Sequence, residues 1–176
     1  SDWSSDVCSS DLATYEPCKY GGEDYNAEFT LDKAKYSRRD GSIKTTMEVV
    51  VSPEDDVEVR KITLKNTGDK GRSLEVTSYM EVTLQSFEGD AVHPSFSNLF
   101  IGTEFNDVGK CLLGNRRARV KNGTVPYIFH KAITASEMEG AITYETSRVN
   151  FIGRNRDLRN PSAMDNDSAL LNTVGD

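Results

Sequence analysis

The stretch Ile43-Lys-Thr-Thr-Met-Glu-Val-Val-Val51, its turn Ser52-Pro-Glu-Asp-Asp56, and the following Val57-Glu-Val-Arg-Lys-Ile-Thr-Leu-Lys-Asn66 decide the fold. Ile43, Thr45, Met47, Val49 and Val51 fall on one side of an extended chain, and Lys44, Thr46 and Glu48 fall on the other. That period of two is the mark of a half-buried strand. Pro53 ends it, because proline has no N–H for a ladder. In the second arm the phase slips: Val57 and Val59 share one parity, Ile62 and Leu64 the other, which predicts a β-bulge near Arg60–Lys61.

Working outward, the same period recurs on both sides. Tyr25, Ala27, Phe29 and Leu31 alternate with Asn26, Glu28 and Thr30. Asn66-Thr-Gly-Asp-Lys-Gly71 is rich in turn formers and should return the chain antiparallel. Leu74, Val76, Ser78, Met80, Val82 and Leu84 then alternate over the longest regular run of the sequence. Asn98–Phe105, Cys111–Val120, Tyr127–Thr134 and Ala141–Val149 read as further strands. No segment carries an i, i+3, i+4, i+7 apolar stripe as long as an average helix. Many short strands punctuated by Gly, Pro, Asn and Asp predict an all-β fold, an antiparallel β-sandwich. The tail from Arg154 to Asp176 loses the alternation and reads as loop.

The chain has 176 residues and a formal net charge of −7, a length that suits one domain with no internal linker. No run approaches the ~18 apolar residues of a membrane-spanning helix, and no signal-peptide pattern opens the chain. Acidic balance argues against a sequence-independent grip on nucleic acid. Cys8, Cys18 and Cys111 lack zinc-site spacing and are too few and scattered for a disulfide scaffold, so reduced thiols in a cytosolic protein are expected.

Ser1–Leu12 stands apart, a Ser/Asp string holding the only tryptophan, Trp3. Asp2–Leu12 resembles the conceptual translation of a sequencing adapter, so this leader is expected to be disordered and foreign to the fold. On that expectation the reading frame is cut and the chain is a fragment, ending arbitrarily at Val174-Gly175-Asp176. Leaving out the leader removes three aspartates, so −7 becomes −4, and it also removes the tryptophan. Only Tyr and Phe then remain to stack on a sugar.

Candidate chemistry is sparse. His93 and His130 have no second ligand at metal spacing, so neither a metal nor another cofactor is expected. Glu54, Asp55 and Asp56 sit in one turn, and Glu88 and Asp90 flank Gly89 in another expected loop. Glycosidases instead hold two carboxylates ~5–10 Å apart across the scissile bond. No G-x-S-x-G elbow and no phosphate-binding glycine loop is present. Arg116-Arg117-Ala118-Arg119 reads as an exposed strand end, and Asn122-Gly-Thr124 and Asn166-Asp-Ser168 as turns.

Three stretches carry a family resemblance. They are Glu48-Val-Val-Val-Ser-Pro-Glu-Asp-Asp-Val-Glu-Val-Arg60, then Leu74-Glu-Val-Thr-Ser-Tyr79 with His93-Pro-Ser-Phe-Ser-Asn-Leu-Phe100, and last Tyr144-Glu-Thr-Ser-Arg148 with Phe151-Ile-Gly-Arg154. Together they resemble the sandwich region preceding the catalytic barrel of family 94 glycoside phosphorylases, formerly glycosyltransferase family 36. The likeness covers nearly all of residues 13–176 and extends to cyclic β-1,2-glucan synthases and 1,2-β-oligoglucan phosphorylases.

The resemblance implies a supersandwich packed against an (α/α)₆ barrel that holds the general acid and the phosphate site. No part of this sequence corresponds to that barrel, so no catalytic residue carries over, and the segment alone is expected to be inactive. The implied partners are the barrel, a β-glucan and a second copy of the parent protein. The implied setting is cytoplasmic, with a synthase-type parent anchored in the inner membrane and no membrane contact by this segment. If the sandwich lends residues to an active-site rim, Phe87, His93 and Phe96 of the 87–97 loop, together with Arg154, are the candidates to meet a sugar. The alternatives are the same domain of a soluble 1,2-β-oligoglucan phosphorylase and a free-standing carbohydrate-binding module.

Overall fold

The computed structural model describes residues 23–92, 98–118, 123, 125–165 and 170–175. The Ser1–Leu12 leader, Cys8, Cys18, His93, Phe96, Arg119, Asn122, Thr124 and Asn166–Ser168 lie outside the described residues. The chain forms two compact units. Among described residues the first takes 23–76 and 156–165, the second 77–155 and 170–175. The length alone predicts one domain. The chain passes between units at Val76–Thr77, inside the alternating run and without a linker composition that would reveal the crossing.

The first unit is a four-stranded antiparallel meander, β1 (Glu23–Phe29), β2 (Ala34–Asp40), β3 (Ile43–Val51) and β4 (Glu58–Asn66), paired in chain order. β1 turns into β2 through Thr30-Leu31-Asp32-Lys33, where the Thr30 N–H donates to the Lys33 carbonyl at 2.9 Å. β2 turns into β3 at Gly41-Ser42, with Gly41 at φ 57°, a conformation glycine adopts without penalty. After Val51 the Ser52 hydroxyl accepts from the Glu54 and Asp55 N–H groups, and the Ser52 N–H reaches the Val57 carbonyl at 2.9 Å. The turn that Pro53 announces is thus built as the sequence predicts, and its three carboxylates are solvent-exposed.

Register explains which side chains share a face. Row by row across the sheet run Phe29–Ala34–Val49–Arg60 and Ala27–Tyr36–Met47–Ile62, with Arg38–Thr45–Leu64 below them. Met47, Thr45 and Arg38 are the buried members, and Phe29 packs edge-on against Tyr36 with centroids 5.9 Å apart. The opposite face carries Glu28–Lys35–Glu48–Lys61, a row of alternating sign across all four strands. Lys33 also donates to Glu48 at 2.7 Å, and that bond and charge hold the Glu48 carboxyl below its ordinary range.

Two expectations are corrected here. β3 and β4 pair in unbroken register from Ile43↔Asn66 to Val51↔Glu58, so there is no bulge at Arg60–Lys61. The phase slip arises because β4 is an exposed edge strand with apolar residues on both faces: Val59 stands opposite Val50, and Ile62 opposite Met47. The irregularity lies instead between Glu23 and Asn26 of β1, where Asp24 adopts φ 53°. β2, Ala-Lys-Tyr-Ser-Arg-Arg-Asp, was not legible as a strand, because its most buried side chain is an arginine.

The second unit holds a three-stranded antiparallel sheet, β5 (Ile101–Asn106), β6 (Cys111–Arg116) and β7 (Tyr127–His130). A 3₁₀ turn at Asn98–Phe100 precedes β5. Its described residues also include two short helices, α1 (Phe87–Val92) and α2 (Arg148–Ile152). Glu88, Gly89 and Asp90 therefore lie on a helical turn rather than in a loop.

Leu74–Leu84, predicted as a strand, joins no ladder among the described residues. Alternation specifies two faces, but a strand also needs a neighbour to accept its backbone bonds. Leu74, Val76 and Met80 of this run are exposed, while Val82 lies against Gly114 and Ser78 Oγ is 3.1 Å from His130 Nε2. Ala141–Val149 likewise forms no strand. It makes one parallel bridge, Glu145↔Thr173, before α2 begins. Among its described residues the tail is irregular apart from a 3₁₀ turn at Ser162–Met164 and the bridge at Thr173, in keeping with a loop.

Candidate functional site

A hydrogen-bonded constellation of polar groups in the second unit surrounds α2. Ser147 caps it with extended backbone, its hydroxyl accepting from the Asn150 N–H at 3.4 Å. The Glu145 carboxylate holds the approach, accepting from the Ser147 N–H at 2.7 Å and from the Thr173 hydroxyl at 2.6 Å. Phe151 and Ile152 are buried, and Gly153, at φ 84°, donates its N–H to the Val149 carbonyl at 2.9 Å and ends the helix.

A closed circuit locks this helix to the 77–85 segment. The Tyr79 hydroxyl donates to Glu81 Oε1 at 2.6 Å, and Arg148 Nε donates to the same oxygen at 3.0 Å. Three residues after Arg148, Phe151 stacks on the Tyr79 ring, with centroids 4.9 Å apart and planes inclined by 29°. Burial raises the Glu81 carboxyl, but the bonds from Tyr79 and Arg148 and the guanidinium charge outweigh it, so the group stays below its ordinary value. Burial first, then the bond to Glu81 and the carboxylate's charge, push the Tyr79 phenol far upward. Glu81 is therefore an anchored anion and Tyr79 a fixed donor.

The sheet of this unit has two unlike faces. On one, Thr103 Oγ1 is 2.8 Å from Thr146 Oγ1 and donates to the Gly175 carbonyl at 2.5 Å, while Phe105 stacks on Tyr144 with centroids 4.3 Å apart. Arg116, on the same face, is buried, donates to the Thr83 carbonyl at 2.9 Å and lies over the Phe100 ring. This corrects the expected exposed end of the Arg116–Arg119 run. Only Arg117 and Ala118 are exposed there among the described residues. The other face carries Tyr127 and Phe129, both exposed, beside Asn115 and Leu113 of β6 and Gly102 and Glu104 of β5.

Of the residues predicted to meet a sugar, Phe87 opens α1 and Arg154 directly follows the α2 cap, exposed. His93 and Phe96 lie outside the described residues, and Arg154 alone of the four has a described side chain. Sequence reasoning missed the Tyr79–Glu81–Arg148–Phe151 circuit. Tyr79, Arg148 and Phe151 lie within the quoted motifs and Glu81 two residues beyond one of them, but nothing in the spacing of these distant stretches says that they meet. No group of three His, Cys, Asp or Glu residues that could hold a metal ion occurs among the described residues.

Antiparallel sheets joined by turns, with two short helices among the described residues, define an all-β protein of the sandwich class. The profile of the glycosyl hydrolase 94 supersandwich domain matches residues 5–176. The chain belongs to that family. It is 33% identical over 163 residues to the cyclic beta-(1,2)-glucan synthase NdvB of Rhizobium meliloti (strain 1021), an alignment covering 93% of this chain. The chain spans only 6% of the length of that relative.

Proposed function

We propose that this chain is a non-catalytic sandwich segment of a cyclic β-1,2-glucan synthase-like protein, supporting an (α/α)₆ barrel and bordering its active site. The observation that carries the reading is the alignment with the glucan synthase, which runs along 93% of the chain. The site geometry agrees with a supporting role. Glu81 and Glu145 are each held by hydrogen bonds that fix α2, and the Glu54–Asp56 carboxylates share one exposed turn. The exposed Arg154, presented by a capped helix, and the 87–97 segment that begins with α1 are the parts placed at the rim in this proposal. The setting proposed is cytoplasmic, within a parent protein held in the inner membrane.

Two measurements test it. The purified chain incubated with β-1,2-glucan and inorganic phosphate should release no glucose 1-phosphate, and release would overturn the non-catalytic reading. In the intact parent protein, Arg154→Ala should raise KM for glucan while leaving thermal stability unchanged. An unaltered KM would remove Arg154 from the rim.

A further inference from the structure

The outward face of the β5–β6–β7 sheet has a composition that the support role does not use. Tyr127 is 66% exposed and Phe129 56% exposed, two positions apart on the edge strand β7. Their rings therefore rise from one face about 7 Å apart. Across the ladder, Tyr127 pairs with Asn115 and Asn115 with Gly102, while Phe129 pairs with Leu113 and Leu113 with Glu104. A Cβ built at Gly102 would lie 3.6 Å from Asn115 Oδ1, so the amide leans over the space that the glycine leaves. Among the described residues the Tyr127 hydroxyl, the Asn115 amide and the Glu104 carboxylate have no hydrogen-bond or ion-pair partner.

This pattern differs from the polar face of the first unit, where Glu28, Lys35, Glu48 and Lys61 neutralise one another in register. Here flat apolar rings stand beside uncommitted donors and acceptors, with Glu104 the one carboxylate in the two rows. Such a surface suits an uncharged ligand with apolar C–H faces and equatorial hydroxyls. Its extent also limits the occupant. Three strands of four to six residues cover roughly 300 Å², well short of the ~800 Å² per partner of a stable protein interface. A short oligosaccharide fits that area, and a second copy of the chain does not.

We propose that this face is a carbohydrate-binding platform, with Tyr127 and Phe129 stacking on successive pyranose rings of a short β-glucan and Asn115 and Glu104 bonding its hydroxyls. The glucan class rests on the functional reading above. Titrating the 176-residue chain with linear β-1,2-gluco-oligosaccharides, by calorimetry and by amide chemical shifts, tests it. Saturable binding should appear, with shifts concentrated on β6 and β7. Tyr127→Ala and Phe129→Ala should each weaken it about tenfold, the order expected when an aromatic anchor is truncated. Tyr127→Phe should retain most of the affinity, and circular dichroism should show every variant folded.

No binding by the folded chain overturns the proposal. So does binding that survives both alanine substitutions, or shifts confined to the 87–92 segment. Binding of cello-oligosaccharides with equal affinity would retain the platform and overturn its assignment to the β-1,2 linkage. None of these outcomes changes the phosphorolysis or Arg154 tests, so failure of the platform and failure of the support role are distinguishable.

Discussion

Arg38 is 2% exposed, and its guanidinium bonds the Asp40 carboxylate two positions along the same face of β2, with the Nε contact at 2.7 Å. A charge taken out of water persists when paired and hydrogen-bonded. Asp40→Asn removes the counter-charge and should cost roughly 3 kcal/mol, read from the urea midpoint. Gln85 presents the converse case. Its side-chain carbonyl is buried beneath Gly89 of α1, with no hydrogen-bond partner among the described residues. Gln85→Met keeps the volume, removes the unmet acceptor and should raise stability by about 1 kcal/mol in the same assay. Neither feature shows in the sequence, where Arg38 and Gln85 look like ordinary surface residues. Whether a polar side chain is buried depends on which strands flank it, and that is a tertiary fact.

At the scale of elements, α2 is held at both ends of the pH range by one circuit. The folded state depresses Glu81 below its ordinary 4.5, so its contribution is present above that value and is lost as pH falls through the folded pKa. It raises Tyr79 above its ordinary 10.0, so that contribution is present below 10 and is lost as pH climbs through the folded pKa. Glu81→Gln should therefore flatten the acid limb of a Tm-versus-pH profile, and Tyr79→Phe the alkaline limb. The edge strand β4 supports another expectation. Val59 is exposed on the charged face, so Val59→Lys should change stability by no more than about 0.5 kcal/mol. The same change should reduce light scattering on heating, because a charged edge resists strand addition.

These elements also show what alternation can and cannot reveal. β3 was legible because Thr45 and Met47 are buried while Lys44 is exposed, so period and burial coincide. β4 misled because an exposed edge selects no face. Leu74–Leu84 carries the clearest alternation of all and forms no ladder among the described residues, since pairing is a property of two segments. Arg154 could be named from its motif. The Tyr127–Asn115 row could not, because register across β6 and β7 puts it together.

At the scale of the whole molecule, charge and apolar surface oppose each other. A net charge of −7 favours solubility, whereas Phe29, Ile62 and Leu64 are exposed large apolar side chains on the face that also buries Met47. Raising the salt concentration screens the repulsion and leaves the apolar attraction. The purified chain should therefore self-associate more in molar salt than in dilute buffer, as seen by sedimentation velocity. Phe29→Ser should lessen that association.

Residues 156–165 return to the first unit after the chain has traversed most of the second, and Arg156 bonds Asp165 within that return at 2.8 Å. A ribosome delivers the four strands of the meander first, but it supplies the buried Ala163 only about a hundred residues later. The second unit waits in turn for Thr173 and Gly175 to reach Glu145 and Thr103. Neither unit can be completed in order of synthesis, so the last twenty residues act as a clasp on both. A nascent chain stalled before Arg156 holds both sheets but lacks the segments that return to each unit, and chaperone capture at that length is the cost of interleaving two units on one thread.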